Sequence, residues 1–182
     1  SSSAKELKLI ESGDVVMSTF KEWRNGWKKF FVDRQKFYDD FFEATAKGQT
    51  PKRAFEDISA ELDARYAGLI EAEAAYHKKI DDVVTSFFPE GDPRKFTFAA
   101  WRERVREFQR LDKESVVAFR AEVRTLAPKQ VEAAYARHWK QRQAAWENLW
   151  RTERQGIAAM TGNPQGAADF APQAQRLQQE AA

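Results

Sequence analysis

The chain has 182 residues, 42% of them apolar, 13% aromatic and 32% charged, with a net charge of +2 and no cysteine. Without cysteine there is no disulfide, no thiolate-bound zinc, no thiol catalysis and no covalent c-type haem. The small net charge gives no global field to gather nucleic acid, and no apolar run approaches the roughly 18 residues of a membrane span.

The sequence opens on "SSSAKELK". A Ser-rich start without Met is typical of the stretch after a cleaved signal or a lipid-modified cysteine in a bacterial envelope lipoprotein. The expected compartment is therefore the periplasm or cell envelope, with the cytoplasm as the alternative. "SGD" (Ser12–Asp14) is expected to interrupt a short opening helical segment, Ser12 or Asp14 then capping the next helix. That first long helix carries Val16, Phe20, Trp23, Trp27, Phe30, Phe37 and Phe41 at three- and four-residue steps. At about 100° per residue, Phe20, Trp23, Trp27, Phe30 and Phe31 fall within an arc of about 100°. The stripe reads as one wall of a core, with Lys21, Arg24, Lys28 and Lys29 as a solvated flank.

Gly48 is expected to end this helix, with Thr50 capping the next and Pro51 at its first position. The second helix carries Phe55, Ile58, Leu62, Tyr66, Leu69, Tyr76, Ile80, Val83 and Phe87. After the turn "FPEGDP" (Phe88–Pro93), the third carries Phe98, Trp101, Val105, Phe108, Val116, Phe119, Val123 and Leu126. "LAP" (Leu126–Pro128) starts the fourth, with Val131, Tyr135, Trp139, Trp146, Leu149 and Ile157. "TGNPQG" (Thr161–Gly166) closes it. The fold class expected is all-α: an elongated antiparallel four-helix bundle over 1–160, with a short N-terminal helical segment and a loose tail over 161–182.

Each long helix has an ionisable residue on its apolar stripe: Arg34, Glu73, Asp112 and Arg142, with Glu153 a second on the fourth. An unpaired buried charge costs several kcal/mol, so complementary signs imply a network. Counting heights at about 1.5 Å per residue places Arg142 between Glu73 and Asp112, with Arg34 about two turns lower, near His138 or Asp63. Such a network fixes register among similar apolar stripes. Read functionally, it is a polar pocket for a small anion inside the bundle.

Other chemistry is thin. Glu73, His77 and Asp81 stand four residues apart on one helix face, the spacing of surface charge pairs as much as of metal ligands, so neither metal nor cofactor is expected. There is no glycine-rich phosphate loop and no nucleophile signature, and no enzyme is expected. Residues 51–90 hold nine acids against five bases, whereas 91–128 hold nine bases against six acids. The second helix is thus acidic and the third basic, suiting them as neighbours. "LAPKQ" (Leu126–Gln130) before a helix resembles the Leu-Thr-x-x-Gln signature of small periplasmic helical chaperones, with Ala127 in place of the Thr and no second copy. The resemblance implies a chaperone-like holding role.

The functional expectation is a non-enzymatic scaffold, adaptor or holdase that meets another protein or itself, through a contact surface including Trp23, Trp27, Phe31 and Trp150. One alternative is peripheral binding to anionic lipid through the first helix. The other is a small anionic ligand held at Arg34, Glu73, Asp112 and Arg142.

Overall fold

A computed structural model describes the backbone of residues 2–161 and 164–182, and the side chains of residue 4, 13–161 and 168–182. The chain is all-α: α1 (Ser2–Ala46), α2 (Phe55–Phe87), a 3₁₀ turn (Pro93–Phe96), α3 (Thr97–Val123), α4 (Pro128–Met160) and α5 (Pro164–Ala181). No strand occurs among the described residues.

The breakers act largely as their chemistry dictates. Gly48, at φ 69°, ends α1: its N–H donates to the Thr45 carbonyl and that of Gln49 to Ala44, so two orphan carbonyls are satisfied. Gly91 takes φ 88° in the second turn, where the Asp92 carboxylate accepts from the Arg94 N–H and caps the 3₁₀ turn. At the third, Pro128 opens α4 and the Gln130 side chain accepts from the Ala127 N–H, half of a capping box.

Three boundaries differ from expectation. α1 runs through Ser12–Asp14 without a break, so there is no separate opening segment and no cap there; one glycine inside a long helix costs only about 1 kcal/mol. The side chain of Ser12 lies outside the described residues. α2 starts at Phe55 rather than Pro51, its first turn closed on the Ala54 carbonyl and carrying Glu56 and Asp57 at the positive end of the helix. The expected loose tail is instead helix α5, which buries Phe170 completely and Ala174 almost so. Of the "TGNPQG" stretch, Gly162 and Asn163 lie outside the described residues.

The chain divides into two compact units, through both of which α1–α4 run. The first comprises 1–24, 73–108 and 148–182; the second comprises 25–72 and 109–147. The core of the first is aromatic. Phe20 and Trp23 meet Trp101 edge to face at 4.8 and 5.3 Å, and Phe98 stacks on Trp101 at 5.5 Å. Gly156 on α4 is the ground under that ring, since a Cβ there would lie 2.5 Å from Trp101. In this unit α5 is held by Arg104, which lies over the Phe170 ring at 4.2 Å and donates to Gln173, and by the Arg176–Glu103 ion pair.

The second unit is an up-down four-helix bundle. Contacts step in opposite directions along each neighbouring pair, Trp27 with Tyr66 then Tyr38 with Ser59, Phe31 with Trp146 then Phe42 with Tyr135, and Asp112 with Arg142 then Phe119 with His138, which makes the neighbours antiparallel. Trp27, Phe30, Phe31, Tyr38 and Leu62 are at most 2% exposed. Each buried large side chain contributes about 2–3 kcal/mol. Turning the rings of α1 outward to lie on a membrane would therefore cost about as much as an entire fold is worth. Among the described residues no helix is long and apolar enough to cross a membrane.

Candidate functional site

The stripe-borne charges fall into two groups, one per unit. In the second unit the centre is Asp112, 1% exposed. Arg34 grips it with two parallel bonds, Nη1 to Oδ2 at 2.8 Å and Nη2 to Oδ1 at 2.9 Å, and Arg142 Nη1 adds a third at 3.0 Å. Burial opposes ionisation of Asp112, but the two guanidiniums outweigh it and hold the carboxyl below its ordinary range. Arg34 also lies over the rings of Phe31, Phe30 and Trp146 at 5.2, 5.5 and 5.9 Å. Two cations on one carboxylate leave the cluster with surplus positive charge. His138, stacked on Phe119 at 4.2 Å, registers that surplus: burial, then Arg34 and Arg142, bring its pKa down to about 4.

A second polar set lies beside the first. Arg120 donates from Nη1 to both oxygens of Asp63 at 2.9 and 3.0 Å, and from Nε to the Tyr38 hydroxyl at 3.1 Å. Between these sets, α2 and α3 leave a cavity of about 430 Å³. Phe30 and Arg34 of α1 line it, with Leu62, Asp63, Tyr66, Ala67 and Ile70 of α2 and Asp112, Lys113, Val116, Val117 and Arg120 of α3. Its lining is mainly apolar, with three cations against two carboxylates. Volume and lining are those of a small-molecule pocket.

In the first unit, Glu73 accepts from Trp23 Nε1 at 2.7 Å, and Glu153, 1% exposed, from Arg24 Nη1 at 3.2 Å. The other oxygen of Glu153 has no hydrogen-bond partner among the described residues, and burial raises its pKa to about 7 against the pull of Arg24 and Arg154. His77 packs on Phe98 and Trp101, and burial, with Arg102 and Arg106, lowers its pKa to about 4.

The expected network is thus rearranged. The bridging group is Asp112 rather than Arg142, and Arg34 is its closest partner instead of lying two turns away. Long arginine stems reach across about one turn, and the later start of α2 shifts the count of heights. Glu73 belongs to the first unit, with Trp23. Arg24, expected on the solvated flank, is half-buried against Glu153. The aromatic contact surface is also corrected: Trp23, Trp27 and Phe31 are at most 2% exposed, and Trp150 is half-buried, 6.2 Å from Trp23. Asp81 is exposed while Glu73 and His77 are buried. Among the described residues no three acidic or histidine side chains are grouped to hold a metal ion. Of the four residues expected to hold a small anion, Arg34 and Asp112 line the cavity and Glu73 and Arg142 do not; the apolar part of its lining was not read from the sequence.

No protein-family model, curated protein or solved structure matches the chain. The likeness of "LAPKQ" to the chaperone signature has a local basis: Pro128 and Gln130 begin a helix.

Proposed function

We propose that the chain is a non-enzymatic binding protein whose second unit takes a small anionic molecule into the cavity between α2 and α3. The observation that carries this is the pairing of a cavity of about 430 Å³ with Arg34, Lys113 and Arg120 against only Asp63 and Asp112. Arg142 adds a further cation on the far side of Asp112's hydrogen bonds. An anion entering there meets a favourable field already assembled; a cation meets the reverse.

This reading replaces the adaptor expectation as the better supported one, since the aromatic side chains offered as a contact surface are spent on the interior. The test is isothermal titration calorimetry with matched small anions and cations, repeated with Asp112→Asn. Anions should bind and their cationic counterparts should not. Equal heats from both, or from neither, would refute the proposal.

A further inference from the structure

Three cations line the cavity, but two of them are already committed. Arg34 spends both terminal nitrogens on Asp112. Arg120 spends Nη1 on Asp63, Nε on Tyr38 and Nη2 on the Ser59 carbonyl at 3.4 Å. Lys113 differs from both: it is exposed at the cavity's edge on α3 and has no ion-pair partner among the described residues. Beside it the rim is apolar, for Ile70 is 40% exposed and Val117 55%. Val116, buried, forms the inner wall and Ala67, exposed on α2, stands at the mouth opposite, and the spacing of Leu62 and Ile70 along α2 gives a trough about 12 Å long.

We infer that the cavity takes an amphiphilic monocarboxylate, its carboxylate on Lys113 Nζ and its apolar part laid between Ala67 and Val116. The inference rests on the reading of the second unit as an anion-binding site and names the class of anion. One free ammonium matches one negative charge. A doubly charged phosphate would bring a second charge toward Asp63 and Asp112 without another uncommitted donor to receive it. The apolar part would take the exposed rim of Ile70 and Val117 out of water, which an anion without a tail cannot do. Ala67, exposed at the mouth, leaves the trough open on the α2 side.

The test is calorimetric titration with octanoate, octyl phosphate, octylamine and acetate. It uses the full chain and the variants Lys113→Ala, Lys113→Arg, Ala67→Phe and Val117→Glu, each checked by circular dichroism. Octanoate should bind best. Lys113→Ala should weaken it about tenfold and Lys113→Arg restore it, as befits a charged hydrogen bond. Ala67→Phe should narrow the mouth and weaken it, and Val117→Glu, on the exposed rim where folding is undisturbed, should repel it. If octanoate binds but Lys113→Ala leaves it unchanged, the head-group assignment falls while the anion site stands. Octyl phosphate or acetate binding as tightly as octanoate overturns the ligand class. Octanoate binding unaltered by both Ala67→Phe and Val117→Glu, or failure of every anion to bind, overturns the site itself.

Discussion

Replacing Glu153 with Gln should stabilise the protein, and by an amount that grows with pH. The carboxyl sits 1% exposed on α4, with Arg24 on one oxygen and nothing among the described residues on the other. Burial therefore outweighs the nearby arginines and moves its pKa from an ordinary 4.5 to about 7. The folded protein then holds a proton that the unfolded chain has released, so stability declines as pH rises from about 4.5 to 7 and levels off above. Between pH 5 and 8 the loss amounts to about 2–3 kcal/mol. Glutamine keeps the shape and an acceptor for Arg24, which is partly exposed and can also be hydrated. Urea unfolding of both proteins at pH 5, 6, 7 and 8 reads the difference directly. His77 and His138 titrate in both chains alike and cancel. A stability difference that stays constant across this range would show that Glu153 is not held protonated by burial, and the argument from its unpartnered oxygen would fail.

Asp112→Ala leaves two buried guanidiniums without their carboxylate and should cost about 3–5 kcal/mol in denaturant unfolding, whereas the triple change Arg34→Met, Asp112→Leu, Arg142→Met should recover most of it. Gly156→Ala drives a methyl into the Trp101 ring, 1% exposed and unable to move, and should lower stability by about 1–3 kcal/mol. Gly68→Ala, with nothing within 4 Å of the new methyl, should raise it by about 1 kcal/mol, both read as shifts in the thermal midpoint. The two histidines work opposite to Glu153: each is held neutral by burial down to about pH 4, so their contribution is lost as pH falls from 6.5 toward 4. His138→Phe should flatten this loss by about 2–3 kcal/mol, measured by unfolding at pH 7 and pH 4.5.

How much of this was legible in the sequence depends on whether the signal is periodic. Phe20, Trp23, Trp27 and Phe30 recur at helical spacing, and a stripe of rings can be stable only inward, so helices and core come from pattern alone. Gly48, Pro128 and Asp92 act through their own backbone chemistry and are equally readable. α5 was not, because its Gln- and Ala-rich sequence has a single large anchor, Phe170, whose burial depends on Arg104 from another helix. The charged residues show where one-dimensional reasoning stops. That Arg34, Asp112 and Arg142 lie on inward faces is periodicity; that Asp112 accepts from both arginines depends on the axial length consumed by residues 47–54 and 88–96, which no spacing rule supplies. The cavity's apolar lining is harder still, since it depends on which residues of α2 and α3 the bundle brings together, Ala67 and Ile70 exposed at the mouth and Val116 buried at the wall. What points to an occupant is the exposed apolar rim of Ile70 and Val117 beside an uncommitted lysine, and Val117→Glu tests it: the variant should fold as the parent does and lose octanoate, and unchanged binding would refute the reasoning.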